Sequence, residues 1–285
     1  SGLTELFSRF REMELPEIVT VNVKELRKKK RLKSIFSPML EEKIGDALEA
    51  GEQVILFQNR RGYAPVMQCK ICGWVPKCER CEVSLTYHKY RNKLCCHYCG
   101  FERSVPDVCP ACGEPNPSFG GFGTEQVEEE VRIIFPQART VRMDTDTTRT
   151  RRSFENILHD FEAGKTDILI GTQMVSKGLD FNNVRVAGIL NADQMLNFPD
   201  FRAHERAFQL MTQVSGRAGR SGQRGVVIVQ TSQPESSIIE HVVSNDYKSF
   251  FNEETSIRKE FGYPPYTRIV HIMLKHHDTA VVRQA

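Results

Sequence analysis

The chain of 285 residues carries 39 lysines and arginines against 36 acids, a net charge of +3, and its 40 % hydrophobic content is that of an ordinary folded protein of one or two domains. No apolar run approaches a membrane span, and the N-terminal stretch SGLTELFSRFREMELPE has charges where a signal peptide needs apolar residues, so a cytoplasmic chain with no membrane partner is expected. A net charge this small is not diagnostic of nucleic-acid binding; the distribution of charge must carry that argument.

Residues 24–33, KELRKKKRLK, hold seven basic side chains and one acid and read as an exposed connector, which is expected to cover residues 1–36 as a whole. SPMLEEKIGDALEAG follows. Ser37 is a candidate N-cap, Pro38 stands at the first helical position, Leu40, Ile44 and Leu48 recur four apart, and Gly51 ends the helix. VILFQN (54–59) is nearly all apolar, the signature of a strand buried on both faces of a parallel sheet.

After a cysteine-rich region at 69–118 the alternation resumes. TEQVEEEVRIIF sets Val127, Val131 and Ile134 on one helical face, and TVRMD (140–144) reads as a strand. SFENILHDFEAG places Phe154, Ile157, Leu158 and Phe161 at helical spacing before the strand DILIGT (167–172). The run VRVAGIL (184–190), a helix from Ala203 to Val214 and the strand GVVIVQT (225–231) complete the series. Strand and helix alternating at this length predict an α/β fold, a parallel sheet flanked by helices over 37–68 and 119–233. In such sheets function sits on loops at the carboxyl ends of the strands. From residue 234 the pattern weakens, and 234–285 reads as the start of a further α+β domain, truncated at Ala285, so the chain is expected to be a segment of a longer protein.

All nine cysteines lie between 69 and 112, and eight form the C-x-x-C pairs Cys69/Cys72, Cys78/Cys81, Cys96/Cys99 and Cys109/Cys112. In a reducing compartment that clustering indicates metal rather than disulfides. Eight thiolates make two tetrahedral Cys₄ sites for two Zn²⁺ ions. Five residues separate the first pair from the second, but fourteen separate the second from the third, enough for a hairpin. That spacing favours a zinc ribbon from Cys78, Cys81, Cys96 and Cys99, with Cys69, Cys72, Cys109 and Cys112 closing around its base. Cys95 is left over. Closed Cys₄ sites leave no position for a catalytic water, so the insert is expected to be a rigid knob, with Trp74, Tyr87, His88, Tyr90, Arg91 and Lys93 available to nucleic acid or a partner.

AGKTD (163–167) looks like part of a Walker A motif but fails. His159 stands where the first glycine is needed, and a helix precedes the motif where a strand should. With no Walker A and no DExH box, this chain alone is expected to be inactive toward a nucleoside triphosphate.

Three other motifs remain: VILFQNRRGYAP (54–65), DILIGTQMVSKGLDF (167–181) and QLMTQVSGRAGR (209–220). They resemble motifs IV, V and VI in the second RecA-like lobe of superfamily 2 helicases. With the eight-cysteine insert, and with GTEQVEEE, RMDTDTT and YPPYTRIV, the chain resembles the PriA family of replication-restart DNA helicases from about residue 35 onward. The resemblance implies that residues 1–36 lead from a first motor lobe that binds ATP and Mg²⁺. It further implies that Arg217 and Arg220 are arginine fingers oriented by Gln213, and that Gly178 and Asp180 approach the nucleotide. Such fingers are worth roughly 10³- to 10⁵-fold in rate in other NTPases. Thr172 and Gln173 would hydrogen-bond phosphates of a single strand, and Arg60 and Arg61 are further candidates for nucleic-acid contact. The implied whole is a 3′-to-5′ helicase that recognises stalled forks in the bacterial nucleoid. It would bind forked or single-stranded DNA, other primosome proteins and single-strand-binding protein. Two alternatives stand beside it: a zinc-ribbon DNA- or protein-binding module with the lobe as scaffold, and another superfamily 2 repair or recombination translocase.

Overall fold

The computed structural model describes residues 14–59, 67–69, 71–88, 91–115, 118–119, 122–144, 147–148, 150–173, 181–219 and 224–270. The first helical signal is realised as read. α2 (Pro38–Glu49) follows α1 (Val23–Lys28), and the Ser37 hydroxyl accepts the Leu40 N–H at 3.3 Å. This satisfies one of the orphan donors that every helix start leaves behind.

Six strands form one all-parallel sheet: β1 (Glu17–Asn22), β2 (Gln53–Phe57), β8 (Thr140–Met143), β9 (Ile168–Gly171), β10 (Val184–Ile189) and β11 (Val226–Thr231), in the order β1-β11-β10-β2-β9-β8. Successive side chains of a strand point to opposite faces, and β2 shows both faces buried. Val54 and Leu56 join the core under α2 and α3 (Thr124–Ile134), whereas Ile55 and Phe57 join the opposite core with Phe161 of α4 (Arg151–Glu162). The second core also takes Phe208 and Met211 from α6 (Ala203–Ser215), Ile238 and Val242 from α7 (Ser237–Ser244), and Phe250 from α8 (Tyr247–Glu260).

Two segments differ from their sequence reading. Residues 17–22, expected in a connector, are the edge strand β1, paired with β11 from Glu17↔Val226 to Asn22↔Thr231. The charges that follow masked a short apolar alternation of Ile18, Val19 and Val21, two of which lie only partly buried at the sheet edge. Residues 237–260, expected in a separate domain, pack as α7 and α8 on the lobe itself. Phe250 stacks on Phe208 with ring centroids 4.3 Å apart, and His241 meets the Glu253 carboxylate at 2.8 Å. Residues 271–285, the rest of that expected domain, lie outside the described residues.

The cysteine-rich insert leaves the sheet after β2 and returns before α3. At its root, β3 (Met67–Gln68) pairs antiparallel with β7 (Ser118–Phe119). Its body is an antiparallel three-stranded sheet of β4 (Thr86–His88), β5 (Lys93–Cys95) and β6 (Glu102–Ser104), so the fourteen residues between the second and third cysteine pairs do contain a hairpin. A small core of Met67, Val83, Leu85 and Leu94, together with Cys78 and Cys96, fills it.

Candidate metal centres and the carboxyl edge of the sheet

Each C-x-x-C pair is a turn of one pattern. The first cysteine's N–H donates to the carbonyl five residues on, and its own carbonyl accepts from the residue four on: Cys69 to Trp74 and Gly73, Cys78 to Val83 and Glu82, Cys96 to Phe101 and Gly100, Cys109 to Glu114 and Gly113. The fourth residue on is left-handed every time, at φ 77° for Gly73, 72° for Gly100 and 77° for Gly113. The second turn departs in residue type alone: Glu82 occupies the glycine position at φ 52°, its carboxylate 2.6 Å from Lys77. A side chain in that region crowds the following carbonyl.

These turns bring the cysteines into two tetrads, Cys69/Cys72/Cys109/Cys112 and Cys78/Cys81/Cys96/Cys99, with all sulfurs of a tetrad within 4.8 Å of one another. The Cys69–Cys112, Cys72–Cys109 and Cys78–Cys99 sulfurs are 3.7, 3.6 and 3.6 Å apart. A tetrahedron with Zn–S bonds of about 2.3 Å has S–S edges of about 3.8 Å, so the donor sets fit zinc in type, number and spacing. One thiol in each tetrad ionises readily. Burial opposes it, but the Cys72 and Ile71 amides bring Cys69 down to about 7, and the Phe101 amide does the same for Cys99. Burial pushes Cys72 up to about 12, so full deprotonation of that tetrad requires the cation. Cys95 stands outside both tetrads, its sulfur 3.6 Å from a Glu102 carboxylate oxygen. Arg91 and Lys93, expected to face a ligand, both pair with Glu102 at 2.9 Å, and Trp74 packs on the small core; Tyr90 lies outside the described residues.

The insert is tied to the lobe at two points. At its root the Gln68 amide donates to Asp193 at 3.2 Å, and a Cβ on Gly73 would meet the Ser232 side chain at 2.5 Å. Asp193, buried at the start of α5 (Asp193–Leu196), also accepts the Ser232 N–H at 3.0 Å. At the ribbon, Tyr98 lies between the tetrad cysteines Cys96 and Cys99, and its hydroxyl oxygen accepts the Phe201 N–H at 3.3 Å. Phe201 stacks on Tyr263 at 4.9 Å, and the Arg258 guanidinium lies 5.3 Å over the Phe201 ring. Tyr98, Phe201 and Arg258 did not stand out in the sequence, and Tyr263 did so only as the first residue of YPPYTRIV, because no local spacing links residues so far apart.

Because the large sheet is parallel, the ends of its strands share one edge. Thr172 is buried at the end of β9, its N–H donating to the Met143 carbonyl at 3.3 Å, and Gln173 beside it donates to Asn59 after β2 at 3.4 Å. At the end of α6, Gln213 is exposed and Arg217 half-buried one turn on. The turn after α6 is not loose. Gly219, at φ 79°, sends its N–H to the Val184 carbonyl at 2.8 Å, and a Cβ there would lie 2.1 Å from the Gly225 nitrogen. Its glycines thus let the two stems of the turn touch. Arg60, Arg61, Gly178, Asp180 and Arg220 lie outside the described residues.

Residues 78–103 match the family model of the PriA DNA helicase Cys-rich region, and residues 123–222 match that of the helicase conserved C-terminal domain. The chain is similar to replication restart protein PriA of Bacillus subtilis, 45 % identical over 98 % of this chain and 35 % of that protein. PriA of Chlamydia pneumoniae is 42 % identical over 94 % of this chain and 36 % of that protein, and PriA of Rickettsia conorii 37 % over 98 % and 43 %. The chain thus aligns with one part of each of these relatives, and it spans about a third of the length of the first two.

Proposed function

We propose, from the chain's match to the PriA family, that it supplies the second motor lobe and the zinc region of an ATP-dependent 3′-to-5′ DNA helicase that restarts replication at stalled forks. The observation that carries this reading is one continuous likeness to PriA over 98 % of the chain, spanning both the cysteine tetrads and the helicase domain.

In this reading ATP and Mg²⁺ are held mainly by a partner lobe, since the sequence here has no Walker A motif. Arg217 and Arg220 present forked guanidinium donors to the charge that builds on the transferring phosphoryl group, and Gln213 orients them. Gly178 and Asp180 border the nucleotide. Thr172, Gln173, Arg60 and Arg61 hold the phosphates of a single strand at the carboxyl edge of the sheet. The two zinc ions are structural: four thiolates each, no open position, and no part in the hydrolysis. The parent works in the bacterial cytoplasm at the nucleoid, with primosome proteins and single-strand-binding protein as partners. Among the described residues no helix is long and apolar enough to cross a membrane.

DNA-stimulated ATP hydrolysis tests the assignment. The 285-residue chain alone is expected to show none, whereas the parent carrying a Walker A lobe hydrolyses ATP and loses that activity, with zinc content unchanged, on Arg220→Ala. Turnover by the isolated chain, or zinc loss in the arginine variant, overturns it.

A further inference from the structure

Residues 24–33 carry seven basic side chains and one acid, net +6, while the whole chain is +3; the other residues therefore sum to −3. All surplus positive charge of this chain sits in one ten-residue stretch, the last five residues of α1 and the turn that follows it. Elsewhere the bases are largely neutralised: Arg139 by Asp167, Lys165 by Asp160, Arg206 by Asp200, and Arg258 by Glu205 and Glu254. Within the turn Lys29 pairs with Glu25, and Arg27 lies in the field of Asp193. Lys24, Lys28, Lys30, Arg31 and Lys33 are exposed and have no acidic partner among the described residues.

The turn is shaped, not loose. The N–H groups of Lys29, Lys30 and Arg31 donate to the carbonyls of Glu25, Arg27 and Leu26 at 2.9, 2.9 and 2.8 Å. Lys30 is held at φ 55°, where glycine or asparagine would fit with less strain. A cation is kept where the backbone favours another residue, and strain of this kind points to a function for the side chain.

The turn follows β1, on the same carboxyl edge as Asn59, Thr172 and Gln173, and beside it lies a cleft of about 270 Å³ lined by Gln68, Asn191, Asp193 and Gln230. Three of these polar groups are already engaged. Gln230 accepts the Ser37 N–H and donates to the Ile35 and Leu190 carbonyls, and Asp193 accepts from Thr231, Ser232 and Gln68. Solvated cations beside polar groups that are internally committed suit phosphates rather than base edges.

We infer that the stretch 24–33, the end of α1 and its following turn, is a further contact surface for the phosphate backbone of DNA, extending the strand path along the carboxyl edge beyond Thr172 and Gln173. The inference rests on the DNA-binding reading above and adds a site to it. Its binding is independent of base sequence and strongly dependent on salt, because each neutralised phosphate releases condensed counterions.

The test is fluorescence anisotropy of a labelled oligothymidylate with the 285-residue chain across a sodium chloride series. Comparison is with the quintuple variant Lys24→Gln, Lys28→Gln, Lys30→Gln, Arg31→Gln, Lys33→Gln, and with Lys30→Gly alone. The quintuple variant is expected to reduce the slope of log affinity against log salt by about 3 to 4, at about 0.7 per single-strand phosphate contact. Lys30→Gly is expected to lower the slope by less than 1 while its melting temperature holds or rises, which separates lost binding from lost folding. Wild-type binding with an unchanged slope in the quintuple variant overturns this inference alone. A wild-type chain that binds no DNA overturns it together with the DNA-binding reading. Loss of binding to phosphatidylserine vesicles with DNA affinity unchanged assigns the turn to another partner and overturns it as well.

Discussion

The hydroxyl of Tyr263, three residues past α8, donates to the backbone carbonyl of the tetrad cysteine Cys81 at 2.9 Å, so the C-terminal segment and the ribbon tetrad hold one another. Tyr263 is 7 % exposed and stacked on Phe201. Tyr263→Phe keeps the stack and loses one buried hydrogen bond, an expected loss of about 1 kcal/mol. Tyr263→Ala also empties the ring site and is expected to cost about 3 kcal/mol. Urea unfolding at saturating zinc measures both.

Zinc removal is expected to melt the insert and spare the lobe. The insert's small core counts Cys78 and Cys96 among its six buried members, so the ligands are also its packing, whereas the large sheet has buried apolar side chains on both faces. Hydrogen exchange after chelation should show protection lost in β4, β5 and β6 and retained in β2, β9, β10 and β11. Trp74, the one tryptophan and part of the insert's packing, gives the matching fluorescence change.

Glu82→Gly is expected to stabilise the ribbon by up to about 1 kcal/mol. It relieves the left-handed backbone at the position where the other three cysteine turns carry glycine, and it gives up only a half-exposed ion pair with Lys77. A slower release of zinc to a chelator and a higher melting temperature are the readouts.

Two glycines of the turn after α6 are expected to respond in opposite ways. Gly216 has φ −66° and its added Cβ would stand 3.5 Å from the nearest carbonyl, so Gly216→Ala is tolerated. Gly219→Ala drives a Cβ to within 2.1 Å of the Gly225 backbone from a positive φ and is expected to cost more than about 2 kcal/mol. Thermal unfolding of the pair gives the contrast.

Acid should expose the Glu205 network. A hydrogen bond from Arg202, working against burial and helped by Arg258, lowers the Glu205 carboxyl to about 2. Its unfolded value is near 4.3, so the stability it lends is complete above that pH and is lost as pH falls toward 2. The difference in unfolding midpoint between wild type and Glu205→Gln is expected to be largest at neutral pH and to shrink between pH 4.5 and 2. A constant difference means the carboxylate charge is not what matters.

Much of this protein could be read from local signals. Helical spacing located α2, α3, α4 and α6 because burial of one face imposes a period near 3.6, and the apolar runs located β2, β9, β10 and β11 because a parallel sheet buries both faces. The cysteine turns were equally legible, since two ligands three apart on a tight turn are a local geometry. β1 was not, because an edge strand is half-covered and its short alternation is followed by a run of charge.

The amino-acid order by itself therefore determined the alternation of strands and helices, the metal-binding turns and the position of the basic stretch, all set by neighbours within a few residues. Only the tertiary structure decided that residues 17–22 complete the sheet, that α7 and α8 belong to the lobe's core, and that Tyr98, Phe201 and Tyr263 join the ribbon to α6 and α8. It also decided that Gly219 serves a backbone contact with Gly225. The physical reason is separation along the chain: Tyr263 and Cys81 are 182 residues apart, and Tyr98 and Phe201 are 103 apart. Only the order of strands in the sheet and the docking of the insert upon it bring such residues within reach.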